Sequence, residues 1–212
     1  MLVETRSVPP FNKNGFVVVC ERTRQAVLID PGDEVGMLLD FIAHEKLNVQ
    51  SILLTHAHVD HVTGVGRAKK ALGAPVYLHR DDQFLYDAAP QQAAFFGLEC
   101  DPLPAIDHYY DVSGALTFGD YEVSVHHTPG HCPGGVCLAI ARAGKPKLDL
   151  FVGDTLFAGS IGRTDLPGGD YQTLIKSITE VLFSFGDDAK VYAGHGPQTT
   201  IGQERRLNPF LR

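Results

Sequence analysis

The sequence predicts an α/β protein whose second half runs through much the same order of elements as its first. Three observations carry this: short apolar runs bounded by turn residues, helical apolar spacing between them, and an apolar hairpin in each half. Phe16 to Cys20 and Ala26 to Ile29 read as strands joined by the polar turn Glu21 to Gln25, and Asp30-Pro31-Gly32 stops the second of them. From Asp33 onward Val35, Leu38, Leu39, Ile42 and Leu47 recur at helical spacing, and Ser51 to Leu54 is short and bounded like a buried strand. A polar loop, a helix over Val62 to Leu72 ending at Gly73, and a strand at Val76 to Leu78 follow. Residues 80 to 110 mix Phe84, Tyr86, Phe95 and Phe96 with Pro90, Pro102 and Pro104, which predicts short helices and loops.

The second half opens on a hairpin from Val112 to Val125. Its two-residue turn is Gly119-Asp120, between Leu116-Thr117-Phe118 and Tyr121-Glu122-Val123. Strands near Val136 to Ala141 and Leu148 to Val152 continue the sheet. Leu174, Ile175, Ile178, Val181 and Leu182 then mark one face of a helix over Tyr171 to Phe183, and Val191 to Ala193 is a last short strand. No stretch repeats another at the level of sequence. A length of 212 residues suits one domain built of two similar halves, about 1–110 and 111–212. A chain of this size buries roughly 70% of its unfolded surface, so a metal found here is expected to serve function.

Lys plus Arg number 18 and Asp plus Glu 25, a formal charge of −7 with no basic run. That argues against nucleic acid or an anionic membrane as partner. No stretch approaches the roughly 18 apolar residues of a spanning helix, and Glu4 and Arg6 interrupt the start where a signal peptide needs its apolar region. The expected location is the cytoplasm. Cys20, Cys100, Cys132 and Cys137 form no CxxC pair and are expected to be free thiols.

The chemistry concentrates in Thr55-His56-Ala57-His58-Val59-Asp60-His61, four ligand-type side chains within six residues directly after a buried strand. Imidazole nitrogen and carboxylate oxygen suit Zn and Fe, and no thiolate interrupts the set. Thr128-Pro129-Gly130-His131, Gly153-Asp154-Thr155 and Gly194-His195-Gly196-Pro197 share the same pattern of a strand end, glycine punctuation and an ionisable residue. With the first cluster they supply seven ligands, enough for two metal ions sharing one carboxylate.

These segments, together with Ile29-Asp30, resemble the five motifs of the metallo-β-lactamase superfamily and span Asp30 to His195. The resemblance implies an αββα four-layer sandwich with its metal site at one edge of two sheets. It assigns His56, His58 and His131 to a first metal, Asp60, His61 and His195 to a second, and Asp154 to the bridge. Asp30 matches the aspartate that holds the ligand loop by hydrogen bonds without touching metal. Such a site leaves room for one bridging water, which two divalent ions, Zn by expectation with Fe or Mn as substitutes, would activate beside Asp60 for attack on a substrate carbonyl.

Within the superfamily, Gly153-Asp154-Thr155-Leu156-Phe157, Gly162-Arg163 and the ending from Gly194 through Gly202 to Phe210 resemble the short bacterial members of the glyoxalase II (hydroxyacylglutathione hydrolase) group. The implied reaction is hydrolysis of S-D-lactoylglutathione or a related thioester. Full-length glyoxalase II holds glutathione with a helical C-terminal domain, whereas 17 residues follow His195 here, so Arg163 and Arg205 are the candidate contacts for an anionic substrate. The alternative is a glutathione persulfide dioxygenase, which the Gly162 to Asp165 stretch and the Asn208-Pro209 ending also resemble. It would use one iron held by His56, His131 and Asp154. Those dioxygenases carry a His-Asp pair where this chain has Gly194-His195-Gly196-Pro197, which favours the hydrolase.

Overall fold

The computed structural model of the chain describes residues 1–110, 116–144 and 148–212. It divides into two compact units, residues 1–120 and 121–212. In the first, β1 (Leu2–Arg6), β2 (Gly15–Val19) and β3 (Gln25–Ile29) pair antiparallel in turn. β4 (Asn48–Leu53), β5 (Val76–Leu78) and β6 (His108–Tyr109) then add in parallel, so the sheet order follows the sequence. Parallel neighbours need crossovers. Those crossovers contain α1 (Val35–His44), then α2 (Val59–Val62) with α3 (Val65–Leu72), then α4 (Gln83–Phe96). β2 and all but the first residue of β3 are buried, as the unbroken apolar runs of strands covered on both faces require. Against them α1 turns Val35, Leu38 and Ile42 inward.

Three features of this unit depart from the sequence reading. β1 was not foreseen, because Glu4 and Arg6 break its apolar pattern; it is an edge strand, where charge protects an open ladder. The helix expected over Val62 to Leu72 is two pieces, interrupted where the Gly64 amide bonds the Pro31 carbonyl at 3.0 Å. The stretch read as short helices and loops contains the 14-residue α4, with Pro90 in its interior. Proline usually breaks a helix by removing a donor and crowding the preceding turn. Here Leu85, Tyr86, Ala89 and Ala93 bury one face of α4, and that packing carries the helix through.

Of the hairpin expected over Val112 to Val125, residues 112–115 lie outside the described residues. β7 (Leu116–Phe118) and β8 (Tyr121–His127) flank Gly119, whose φ of +58° suits the tight turn.

In the second unit β8, β9 (Val136–Arg142) and β10 (Leu148–Gly153) pair antiparallel, and β13 (Lys190–Ala193) joins β10 in parallel. β11 (Leu156–Phe157) and β12 (Ser160–Ile161) form a small separate hairpin, and β14 (Thr199–Thr200) edges β13. The crossover helix starts as α5 (Tyr171–Lys176), widens into a π-helical turn at Ser177–Val181 and tightens into a 3-10 turn at Leu182–Phe185. Its Leu174, Ile178 and Leu182 join Leu150, Val152, Val191 and Ile201, from α6 (Ile201–Leu207), in one core. Two antiparallel steps, a crossover helix and a parallel strand thus occur in each unit, as β1-β2-β3-α1-β4 and β8-β9-β10-α5-β13. No helix among the described residues is long and apolar enough to cross a membrane. The four cysteines are free thiols, with Cys20, Cys132 and Cys137 buried.

Candidate metal centre

The first ligand cluster forms where β4 ends. Residues 54 to 59 are all buried, and His56, His58 and His61 are 2%, 9% and 0% exposed. Buried histidines are held by hydrogen bonds, and Asp30 holds His61 directly and His56 through Thr55. Its Oδ1 accepts from the Thr55 backbone amide at 2.7 Å, and its Oδ2 accepts from the Thr55 hydroxyl at 2.5 Å and from Nδ1 of His61 at 3.0 Å. With its proton committed to Asp30, the Thr55 hydroxyl oxygen accepts from Nδ1 of His56 at 3.2 Å. Both imidazoles therefore carry their proton on Nδ1 and present Nε2 as the ligand nitrogen. The His56 ring centroid lies 4.0 Å from that of His61 and 4.9 Å from that of His58. The Asp60 carboxylate stands 3.8 Å from Nε2 of His61.

Two further groups steady this loop. Asp82, fully buried, accepts the Ala57 amide at 3.0 Å, and the Tyr110 hydroxyl donates to the Leu54 carbonyl at 3.2 Å. Burial among these groups drives the Tyr110 phenol well above its usual range. Neither residue was singled out in the sequence. A lone Asp or Tyr in a loop-rich stretch carries no spacing signal, and each role depends on contacts 25 or more positions away.

In the second unit Asp154 follows β10, and its Oδ2 stands 3.5 Å from Nε2 of His195 and 3.7 Å from Nε2 of His131. Those separations exceed a normal hydrogen bond. They match side chains placed around ions that sit about 2.0–2.2 Å from each ligand atom. His131 has its tautomer fixed as well, since its Nδ1 donates to the Arg163 carbonyl at 2.8 Å. That contact needs Gly162: a Cβ there would lie 1.9 Å from the Asp154 carbonyl oxygen and 3.3 Å from Cβ of His131. The Gly-Arg step noticed in the sequence thus acts here through its backbone.

The C-terminal segment supports the same stretch. Glu204, 1% exposed, accepts the Gly159 amide at 2.8 Å, the Asn208 side-chain amide at 2.9 Å and the Thr199 hydroxyl at 2.5 Å. Asn208 also donates to the Ser160 carbonyl at 3.0 Å. Glu204 and Asn208 thereby pin the β11–β12 hairpin that leads into Arg163. Glu204→Ala would take the acceptor from two buried donors, on Thr199 and Asn208, and from the part-buried Gly159 amide, and should cost roughly 2–4 kcal/mol, read from urea unfolding. A loss below about 0.5 kcal/mol would show that the hairpin is held by other contacts.

Of the two arginines considered for substrate, Arg163 is exposed and forms a two-pronged pair with Asp165, both distances 2.7 Å. The guanidinium hydrogen bonds hold the Asp165 carboxyl down at about 2. Arg205 donates to the Phe183 carbonyl, sits over the Phe183 ring at 4.9 Å and stands 3.4 Å from Asp187, contacts that tie α6 to the end of the crossover helix.

Imidazoles and carboxylates gathered at strand ends, with the tautomers of His56, His61 and His131 set by hydrogen bonds, are a donor set suited to a metal-dependent enzyme. Comparison with known proteins gives the chain a family: the family model described as the metallo-beta-lactamase superfamily matches residues 8–195. The chain belongs to that superfamily of metallo-hydrolases, and its fold is the metallo-β-lactamase fold. Hydroxyacylglutathione hydrolase GloC of Haemophilus influenzae is 39% identical over 213 residues, 100% of this chain and 98% of that protein. The crystal structure of BLEG-1 B3 metallo-β-lactamase matches with a TM-score of 0.87 and 37% identity, covering 99% of each chain. That of TTHA1623 in a di-iron-bound form matches with a TM-score of 0.83 and 39% identity, covering 99% of this chain and 100% of the other.

Proposed function

We propose that this chain hydrolyses a thioester, S-D-lactoylglutathione or a related hydroxyacylglutathione, at a site of two divalent metal ions. His56, His58 and His131 are assigned to one ion, Asp60, His61 and His195 to the other, and Asp154 to both. The observation that most supports this is the single Asp154 oxygen facing the Nε2 atoms of His131 and His195. The donor set fits such ions: imidazole nitrogens, three of them with fixed tautomers, and carboxylates, with no thiolate, suit Zn, Fe or Mn. The di-iron form of a neighbour at 39% identity supports iron beside zinc. Likeness over 98% of a relative named hydroxyacylglutathione hydrolase supports the substrate class.

Bound there, two divalent ions would supply an ionised water at neutral pH and a Lewis acid for the substrate carbonyl. The remaining work falls to the chain. Asp30 and the Arg163 carbonyl hold protons on Nδ1 of His61 and His131, which keeps Nε2 available for ligation. Asp60, half-buried beside His61, is assigned to orient the attacking water. No side-chain general acid is needed for the leaving group, because a thiol with pKa near about 8.5 departs as thiolate. Arg163, exposed and held in a two-pronged pair with the exposed Asp165, is assigned to the carboxylates of the glutathione arm, which would take the place of Asp165 on its guanidinium.

Arg163→Ala should raise KM for the glutathione thioester several-fold and leave KM for an uncharged thioester unchanged; equal effects on both would remove Arg163 from substrate binding. The reading itself is tested with metal-loaded protein offered S-D-lactoylglutathione and, separately, glutathione persulfide with an oxygen electrode. Release of glutathione and lactate is expected. Oxygen uptake without thioester turnover would assign the dioxygenase reaction instead.

A further inference from the structure

Lys13 and Glu34 form a buried ion pair, 2% and 1% exposed, with Nζ 2.7 Å from Oε1. Such pairs are expensive to desolvate, and apolar residues of similar size often replace them without loss of stability. What this pair grips suggests another role. Lys13 Nζ also donates to the Asp30 carbonyl, and the same Glu34 Oε1 accepts the Gly32 amide at 2.9 Å. The two ends of Asp30-Pro31-Gly32 are therefore tied to the two members of one ion pair. Asp30 holds φ at +48°, in the left-handed region that aspartate visits more readily than most residues other than glycine, and the ties to its own carbonyl and to the Gly32 amide fit that turn. Space for the pair is built in, since a Cβ on residue 15 would lie 2.0 Å from Glu34 Oε1 and glycine stands there.

We propose that the Lys13–Glu34 pair is a positioning clamp for the metal centre. It fixes the backbone of Asp30, and the Asp30 carboxylate in turn sets the ring of His61 and the Thr55-His56 step of the ligand loop. Neither Lys13 nor Glu34 touches substrate or metal in this role. The inference rests on the metal-centre reading above, and the test separates the two.

The variant to make is Lys13→Met with Glu34→Met, which removes the pair without stranding one buried charge. Zinc affinity of the metal-free full chain is measured by competition with a coloured chelator, beside its thermal unfolding and the visible bands of the cobalt-loaded form. A folded double variant should bind zinc about 10–100-fold more weakly and show shifted cobalt bands, a change that a purely structural pair would not produce. A folded variant with zinc affinity within about twofold of the unmodified chain and identical cobalt bands overturns the clamp and leaves the metal centre standing. If the unmodified chain binds no zinc or cobalt, the metal-centre reading and the clamp both fall. Should the double variant not fold, Glu34→Gln carries the test: weaker zinc binding supports the clamp, and unchanged binding overturns it.

Discussion

Asp154→Ala should empty the chain of both metal ions, whereas His195→Ala should leave one. Asp154 Oδ2 faces His131 at 3.7 Å and His195 at 3.5 Å, and these two histidines are assigned to different ions. Removing the carboxylate therefore takes a ligand from each ion and a charge from between them, while removing His195 takes one neutral ligand from one ion. Loss of a residue that only orients a ligand costs about 10–100-fold in affinity, so a shared ligand should cost more. Elemental analysis of the purified variants checks this. If Asp154→Ala protein retains two equivalents per chain, Asp154 is not the bridge.

Asp30→Ala should be the most damaging change outside the ligands. Three donors converge on its carboxylate: the Thr55 amide, the Thr55 hydroxyl and Nδ1 of His61, all in a fully buried setting. Alanine leaves these unsatisfied, at a cost of about 3–5 kcal/mol in folding stability. It also frees His61 to rotate or change tautomer, so zinc affinity should drop as well. Asp30→Asn keeps the shape but presents an amide donor to one of those donors, and an intermediate loss is expected. Urea unfolding of the metal-free protein gives the first quantity and chelator competition the second. Weakened folding with unchanged zinc affinity would show that Asp30 supports the loop without orienting His61.

Asp154 was legible in the sequence because an ionisable residue behind a glycine at a strand end has little to do in packing, whereas Asp30 stood out only through the resemblance to the superfamily's motifs, since Asp30-Pro31-Gly32 by itself reads as a turn. β2, β3 and the second half of β4 were legible for the opposite reason, since burial on both faces leaves short apolar runs bounded by turns, while exposed Asn48 and half-buried Gln50 hid the start of β4. α4 was not, because Pro90 speaks against a helix locally and the burial of Leu85, Tyr86, Ala89 and Ala93 outweighs it only in the folded chain. The groups that hold the ligands were hidden too. Asp82, Glu204, Lys13 and Glu34 are charged residues that look like surface until their partners, up to 45 positions away, are known. Arg163 was noticed for its side chain, but its carbonyl, which any residue possesses, is what fixes His131.

Two metal ions working on a thioester are proposed for this chain. The direct measurement is metal content by elemental analysis on protein purified without chelator, paired with the rate of S-D-lactoylglutathione hydrolysis on the same sample. Close to two ions per chain are expected, with turnover that rises and falls with their occupancy. One iron per chain, with no thioester turnover and oxygen consumption on glutathione persulfide, would contradict the proposal.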